Sequence, residues 1–331
     1  MLLSICIPSY NRFEELNEKI NSILKAKSKQ FEIVVLDNCS PRNIYNYINV
    51  RDKRLRIIQR KQAVSGVKNI SDSIFCGNAK YSLLLLDKDK LLGDKLDQFI
   101  NILSQNDVCG GYCQINSISN SYRVVVDNTV KQFGFLSKHP SGNIYNIELL
   151  YEFAVLNGHR LDEDTFNFDI YLAYCASKGK MLYYNIPLVE SVLDNIEKKD
   201  KYSLTFNKKS GNLFYMPQNR INEFMTYVIY LNQLKLNKKE KKQILKYLYK
   251  QTSQLVTFDY KYIMSNESIC HHYGHDIRKI TFIDSIKNQN LLRKKFYSIR
   301  EVSNFEKAFI DFKVKCFLIC KAFYKFLRRQ K

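Results

Sequence analysis

Apolar and polar positions alternate in blocks through the first hundred residues. The apolar runs are short, rich in leucine, isoleucine and valine, and bounded by polar residues, which is typical of strands buried on both faces. Segments with apolar residues at helical spacing separate them, so the pattern predicts βαβ units and a parallel sheet with right-handed crossovers. The predicted strands are 2–8, 31–37, 54–60 and 81–87. The predicted helices between them are 11–26, 43–49 and 65–76.

The alternation stops at residue 107. Two successive strands with a turn between them are predicted at 107–119 and 121–128, followed by a helix over 146–156, a helix around 168–178 and a strand over 180–189. From about residue 218 onward, helical patterns rich in lysine dominate. We therefore place a boundary near 205–215, with an α/β domain at 1–210 and a helical C-terminal region at 211–331.

Charge is distributed unevenly along the chain. The net charge of the 331 residues is +20, and most of that excess lies in residues 201–331, which predicts a second region that faces an anionic partner. Nine cysteines are scattered through predicted strands and helices, which favours reduced thiols in a cytoplasmic compartment. The first residues resemble a strand rather than a signal peptide, and no apolar run reaches the ~18 residues of a membrane span.

The fourth strand ends in two carboxylates one residue apart. The stretch YSLLLLDKDKLL places Asp87 and Asp89 where the apolar run stops. In open parallel sheets, ligands bind beyond the carboxyl ends of the strands, and carboxylate oxygens suit manganese or magnesium. The alternative is a solvated turn after a core strand.

Four segments together resemble a known family. ICIPSYNR, EIVVLDNCS, SGVKNI and YSLLLLDKDKLL occur in the order and at about the spacing seen in family 2 glycosyltransferases, and the resemblance covers roughly residues 1–190. It implies the GT-A fold, a Rossmann-like, mostly parallel sheet with flanking helices, and binding of a nucleotide diphosphate sugar. Carried over, Asp87 lies near the ribose and Asp89 holds a divalent cation, Mn²⁺ or Mg²⁺. Lys88 departs from the commoner all-acid triplet and could contact phosphate.

The resemblance also implies roles for residues at the other strand ends. The residues implied to bind the nucleotide sugar are Pro8 and Tyr10 at the base, Arg12 near the sugar or phosphates, Asp37 and Asn38 at the base edge and ribose, and Gly66 and Asn69 facing the nucleotide. A carboxylate that accepts from a base imide favours uracil or thymine, so a UDP-sugar is the expected donor. Asn38 fills a position that is often Asp, which leaves the base open. The alternative is that these residues only end strands and cap helices.

An inverting transfer also needs a general base for the acceptor hydroxyl. In the family this base is an acid in a later loop, and RLDEDTFNFD offers Asp162, Glu163, Asp164 and Asp169. Asp164 is the first choice and Asp169 the second. His139, which lies before Pro140, is a candidate for contact with the acceptor or a phosphate.

The C-terminal tail has apolar residues every three to four positions among eight basic residues. This profile predicts a helix that lies on an anionic membrane surface, and the alternative is a helix that packs its stripe on the protein body. The stripe consists of Phe305, Phe309, Phe312, Cys316, Ile319, Phe323 and Phe326. A second cluster, Cys270, His271, His272 and His275, is a weak candidate zinc site.

The hypothesis from these features is an inverting glycosyltransferase of cell-surface polysaccharide or lipooligosaccharide assembly. It would transfer a sugar to a saccharide or lipid-linked acceptor while attached peripherally to the inner face of the membrane, and no nucleic-acid partner is expected. Two alternatives remain open. One is a phosphohydrolase that uses Asp87 and Asp89, and the other is a non-catalytic protein that binds membranes or nucleic acid.

Overall fold

The computed structural model describes most of the chain as two compact units. The described residues are 1–135, 139–157, 166–191, 215–267, 270, 279–300 and 302–328. Backbone contacts divide the chain into unit 1, Met1–Asn195, and unit 2, Ile196–Lys331. The predicted boundary at 205–215 falls almost entirely outside the described residues.

Unit 1 is built on a sheet of eight strands in the order β3-β2-β1-β4-β8-β6-β9-β7, with a small separate pair formed by β5 and β10. The strands are β1 (Leu3–Ser9), β2 (Phe31–Asp37), β3 (Leu55–Gln59), β4 (Tyr81–Leu84), β5 (Lys90–Leu91), β6 (Gly110–Cys113), β7 (Ser121–Val125), β8 (Asn143–Asn146), β9 (Met181–Asn185) and β10 (Val189–Glu190).

The four strands predicted from the first hundred residues form the parallel part of this sheet. β1 pairs in parallel with β2 and β4, and β2 pairs in parallel with β3. In β1 and β2 every residue is buried, as expected for strands covered on both faces. Because parallel strands end at one edge, the loops after Ser9, Asp37, Gln59 and Leu84 share that edge.

Beyond β4 the sheet is mixed. β8 runs antiparallel to both β4 and β6, β9 is parallel to β6, and β7 is antiparallel to β9. The segments predicted as successive strands with a turn are therefore not neighbours, because β9 lies between β6 and β7. The sheet is therefore mixed. Most of the candidate site residues identified from the sequence lie at the carboxyl ends of its parallel strands β1, β2 and β4.

The helices of unit 1 cover this sheet. They are α1 (Phe13–Ile23), α2 (Gly66–Ile74), α3 (Gly93–Gln105), α4 (Thr129–Phe133), α5 (Ile147–Asn157) and α6 (Asn167–Lys178). The predicted helix at 43–49 is wrong in type, since only a 3₁₀ turn forms at Ile44–Asn46. A segment of that length rarely nucleates an α-helix, and the side chain of Asn43 instead accepts from the backbone N–H of Tyr45. Helix α3 was not predicted, although Leu96, Phe99, Ile100 and Leu103 have helical spacing.

Unit 2 is helical over its described residues. Its helices are α7 (Pro217–Gln233), α8 (Lys238–Gln254), α9 (Tyr260–Met264), α10 (Phe282–Tyr297) and α11 (Asn304–Arg328), with a π-helical turn at Leu255–Asp259 between α8 and α9. Tyr249 stacks on Phe296 with ring centroids 4.0 Å apart, and its hydroxyl donates to the buried carboxylate of Asp311 at 2.7 Å. Among the helices in these described parts, we find none with both the length and the apolar character needed to cross a bilayer.

Candidate functional site

The loops that follow β1, β2 and β4 are joined by hydrogen bonds at the carboxyl edge of the parallel strands. The backbone N–H of Tyr10 donates to Oδ2 of Asp87 at 3.4 Å, and Nε of Arg12 lies 3.7 Å from the same oxygen. The backbone N–H of Asn11 donates to Oγ of Ser40 at 2.8 Å. The structure therefore brings Tyr10, Arg12 and Asp87 together, and it ties the first loop to the second.

The end of β2 is held rigidly by its own polar side chains. Asp37 is fully buried, and its carboxylate accepts from the backbone N–H of Ser40 at 3.0 Å and from the Ser40 hydroxyl. The amide of Asn38 donates to the carbonyl oxygen of Val64 at 3.0 Å and accepts from the Val64 N–H at 2.9 Å. Asn38 thus fixes the loop that precedes α2, a positioning role that the sequence did not indicate.

The neighbouring loop between β3 and α2 contributes a cation that the sequence analysis missed. Nε of Arg60 donates to Oδ1 of Asn69 at 2.8 Å, and its Nη2 donates to Asp72 at 2.6 Å. The amide of Asn69 in turn donates to the carbonyl oxygen of Leu36 at 3.2 Å. These bonds attach the first turns of α2 to the end of β2.

Two residues predicted to bind the nucleotide sugar, Pro8 and Gly66, are part of regular secondary structure. Pro8 lies within β1, buried and opposite Leu36 of β2. Gly66 is the first residue of α2, directly after Ser65, whose hydroxyl caps the helix by accepting from the Lys68 N–H at 3.1 Å. Gly66 therefore stands at a helix N-terminus that faces the same edge of the sheet, where backbone N–H groups favour an anion.

The turn that carries Asp87, Lys88 and Asp89 is held from below by Lys19 of α1. The Lys19 ammonium donates to the carbonyl oxygens of Leu86 at 3.0 Å, of Asp87 and of Asp89. Lys19 is buried, and this burial lowers the pKa of its ammonium to about 8, although Asp87 and Asp89 oppose the shift. At neutral pH it remains charged, so a single cation shapes the turn that presents both carboxylates.

Asp89 is fully buried and contacts the segment that precedes β8. Its Oδ2 accepts from the hydroxyl of Ser141 and lies 3.6 Å from Nδ1 of His139. The Ser141 hydroxyl also accepts from the backbone N–H of Leu86 at 2.9 Å, while the Ser141 N–H donates to Nδ1 of His139 at 3.2 Å. The structure therefore places His139 beside Asp89.

The approach of Ser141 to Asp89 requires a glycine next to it. Gly142 has a φ of +91°, and a Cβ at this position would lie 2.5 Å from the carbonyl oxygen of Cys113. Both the backbone conformation and the space exclude a side chain. The sequence S-G in SGNIYN is thus the local feature that brings β8 to the turn after β4.

Burial sets the electrostatics of the two titratable groups that flank Asp89. Burial raises the pKa of the Asp87 carboxyl, while Arg12 and Lys19 act against that shift. Burial lowers the pKa of His139, and the negative charge of Asp89 opposes it. The site is therefore one of partial desolvation, in which an additional cation would interact strongly with the carboxylates.

The donor set around Asp89 fits a divalent cation that a ligand helps to hold. Oδ1 of Asp89 is buried and has no hydrogen-bond partner within the described residues, so one carboxylate oxygen is left for a cation. No group of three or more His, Cys, Asp or Glu side chains forms a metal site in the described parts of the chain. Hard cations such as Mg²⁺ are commonly held by one or two carboxylates together with substrate phosphates, and Asp89 suits that arrangement.

Of the two candidates for the general base, the structure describes only Asp169. Asp164 lies outside the described residues, as do Asp162 and Glu163. Asp169 lies in the first turn of α6 and is 3% exposed, and its charge helps to raise the pKa of Tyr145, after the larger effect of burial. Of the weak zinc candidates, His271, His272 and His275 also lie outside the described residues.

Comparison with known proteins shows which family and which fold this chain resembles. Residues 4–144 match the family model "Glycosyl transferase family 2", which confirms the predicted family for this part of the chain. An uncharacterized glycosyltransferase of Haemophilus influenzae is 23% identical over 154 residues, covering 45% of each chain. The Escherichia coli enzyme WfgD, a UDP-Glc:α-D-GlcNAc-diphosphoundecaprenol β-1,3-glucosyltransferase, is 23% identical over 121 residues, covering 36% of this chain and 48% of its own. The matched part thus spans less than half of these curated relatives.

Solved structures confirm the GT-A type of fold. The crystal structure of S. aureus TarS 1–349 superposes with a TM-score of 0.56 and 13% identity, covering 90% of this chain and 92% of that one. The same protein in complex with UDP-GlcNAc gives a TM-score of 0.56 at 14% identity. At this level of identity, the likeness concerns the fold alone.

Proposed function

We propose that this chain is an inverting glycosyltransferase that uses a nucleotide diphosphate sugar, with a UDP-sugar as the donor. The observation that carries this proposal is the hydrogen-bonded convergence of the loops after β1, β2 and β4 next to the buried Asp89, whose Oδ1 has no hydrogen-bond partner in the part of the chain that the structure describes. Family 2 membership of residues 4–144 supports it, as does the occurrence of UDP-GlcNAc and UDP complexes among proteins of similar fold.

The nucleoside would lie on the β1 and β2 side of this edge. Pro8 and Tyr10 would form the wall against which the base packs, and Asp37 and Asn38 would set the shape of the loop that meets the base and ribose. The latter two act as positioning residues, because their polar atoms bond to Ser40 and Val64. Gly66 and Asn69 would place the N-terminus of α2 towards the nucleotide.

The diphosphate would lie on the β4 side. Nε of Arg12 stands 3.7 Å from Oδ2 of Asp87, and this charge pair would orient the guanidinium towards the ribose and phosphates. Lys88, between the two carboxylates, would contact a phosphate. When bound at Asp89, Mn²⁺ or Mg²⁺ would neutralise the charge of the diphosphate leaving group. His139, next to Asp89, would orient that carboxylate and contact the phosphate or the acceptor.

We propose Asp164 as the general base, because Asp169 is too buried to meet an acceptor hydroxyl. Asp164→Asn is expected to lower kcat by about 10²–10⁴-fold, since an amide cannot accept the proton, while UDP affinity stays within about twofold. Asp169→Asn is expected instead to lower the melting temperature, because it removes a negative charge from the N-terminus of α6. Steady-state kinetics and thermal unfolding of both variants separate these roles. A kcat loss confined to Asp169→Asn would assign the base to Asp169.

The acceptor is proposed to be a saccharide, and specifically one linked to a lipid at the inner face of the membrane. The name of the relative WfgD specifies a GlcNAc-diphosphoundecaprenol acceptor, which supports a lipid-linked saccharide as the acceptor class. A role in assembling surface polysaccharide or lipooligosaccharide follows from that acceptor. Peripheral attachment to the membrane would bring the site to such a substrate.

The donor proposal is tested by titrating UDP into the full chain. We expect UDP with Mn²⁺ to raise the melting temperature and UDP with EDTA to raise it less, because only ligands that bind the folded state stabilise it. GDP and ADP provide the comparison for the base, and calorimetry gives the affinities. Absence of stabilisation by every nucleoside diphosphate, with and without Mn²⁺, would contradict the proposed function.

The phosphohydrolase alternative requires Asp87 to act as a nucleophile. A nucleophilic aspartate must reach a phosphate, whereas Asp87 accepts from Tyr10 and pairs with Arg12. Phosphate release from simple phosphomonoesters, abolished by Asp87→Asn, would support this alternative.

A further inference from the structure

Helix α11 presents the part of its apolar stripe from Phe305 to Phe323 to solvent. Five of the stripe residues are between 52% and 83% exposed, and Cys316, which lies in the same stripe, is also exposed. The five are Phe305, Phe309, Phe312, Ile319 and Phe323. The helix packs on unit 2 through its other side, where Lys307, Ile310, Asp311 and Val314 are buried. The stripe is therefore not the face that holds this helix on the protein body.

A row of lysines on α8 runs along α11. The Lys242 ammonium pairs with the Glu306 carboxylate, and the Lys250 ammonium lies 3.8 Å from the ring centroid of Phe317. Lys246 is exposed and lies one helical turn from each of them, on the same side of α8. On α11 itself, the Lys313 ammonium lies 4.0 Å from the ring centroid of Phe309. Positive charge thus accompanies the exposed aromatic residues over several turns.

Both acidic residues of α11 are already neutralised. Glu306 pairs with Lys242, and the buried carboxylate of Asp311 pairs with Arg293 at 3.0 Å and Lys315 at 2.9 Å. The surface around the stripe therefore carries an uncompensated positive charge. Exposed aromatic rings bordered by lysines are the features of a helix that rests in the headgroup region of a bilayer with anionic lipids.

We propose that unit 2 binds anionic bilayers through this surface, with the stripe of α11 inserted among the acyl chains and Lys246, Lys250 and Lys313 among the headgroups. The stripe has the 3–4 spacing of a coiled-coil seam, so a second copy is the competing occupant. Charge disfavours that occupant, because pairing two stripes would bring Lys313 of both copies together while Glu306 and Asp311 are already engaged. The proposal deepens the membrane attachment in the proposed function, although its test needs no nucleotide or sugar.

The test is sedimentation of the full chain with vesicles of phosphatidylcholine, with and without phosphatidylglycerol. We expect binding only to the vesicles that contain phosphatidylglycerol, weakening as salt is added. Phe305→Ser/Phe312→Ser should lower the partition coefficient more than about tenfold, because two aromatic side chains no longer leave water. The control is Ile118→Ser/Val155→Ser, which changes two apolar residues of unit 1 that are 100% and 78% exposed and should leave the partition unchanged.

Two results would overturn the proposal. One is a full chain that stays in the supernatant with phosphatidylglycerol vesicles, or that binds them as well after the Phe305→Ser/Phe312→Ser change. The other is a dimer in light scattering that forms a Cys316 disulfide on oxidation and dissociates in that same variant, which would assign the surface to a second copy. UDP titration of the variant keeps the two proposals separate, since its nucleotide affinity should equal that of the unchanged chain.

Discussion

Replacing Asp89 by Asn is expected to reduce sugar transfer by at least about 10²–10³-fold. Asn has the same shape, and its carbonyl oxygen can still accept from Ser141, so the turn after β4 should keep its structure. What is lost is the negative charge and one of the two carboxylate oxygens, of which Oδ1 has no hydrogen-bond partner among the described residues. Calorimetry should show that Mn²⁺ no longer strengthens UDP binding, independently of any assay of transfer.

The matched control for this change is Asp107→Asn. Asp107 is an aspartate of the same unit whose side chain is 93% exposed and pairs with Lys80. An exposed pair of this kind contributes little, so transfer and Mn²⁺-dependent binding should remain unchanged. If Asp89→Asn and Asp107→Asn gave the same sugar transfer and the same Mn²⁺-dependent UDP binding, Asp89 would not be a residue of the site.

Replacing Lys19 by Met is expected to destabilise the turn that carries Asp87 and Asp89 and so to weaken nucleotide binding. Met matches the length of the lysine but cannot donate, so the carbonyl oxygens of Leu86, Asp87 and Asp89 lose a shared buried donor. Each buried carbonyl left without a donor costs about 1–3 kcal/mol. Part of this cost is offset because the variant no longer buries a charged ammonium. We therefore expect the free energy of unfolding to fall by about 2–3 kcal/mol. The affinity for UDP with Mn²⁺ should fall more than about tenfold, because the turn no longer presents both carboxylates together.

Lys25→Met tests whether the effect belongs to that position. Lys25 follows α1 and is exposed, so its substitution removes the same charge without touching the turn. Chemical denaturation and calorimetry of both variants provide the comparison. A Lys19→Met protein that binds UDP and Mn²⁺ as tightly as the unchanged chain would show that the lysine serves stability alone.

The parallel part of the sheet could be predicted because its strands are continuous apolar runs. β2, β3 and β4 lie within the predicted ranges and β1 ends one residue beyond its range, and helices α1, α2, α5 and α6 follow the spacing of their apolar residues. The convergence of Tyr10, Arg12 and Asp87 could be predicted as well, since consecutive parallel strands end at a common edge. These inferences depend on periodicity and strand direction, which a single sequence contains.

Pairing between distant segments could not be predicted in the same way. The placement of β9 between β6 and β7 depends on long-range contacts that leave no periodic signal. The contact of Ser141 with Asp89 spans 52 positions, and only the S-G pair before β8 hints at it. Lys19 did offer a signal, because it stands on the apolar face of α1 between Leu16 and Ile20, where a lysine requires a buried partner.

The most direct test of the central claim is a crystal structure of the full chain with UDP and Mn²⁺, recorded at the manganese absorption edge. We expect one anomalous peak within about 2.2 Å of a carboxylate oxygen of Asp89, also in contact with the diphosphate, and a uracil ring beside Tyr10. UDP bound at another edge of the sheet, or manganese bound away from Asp89 while UDP occupies this edge, would contradict it.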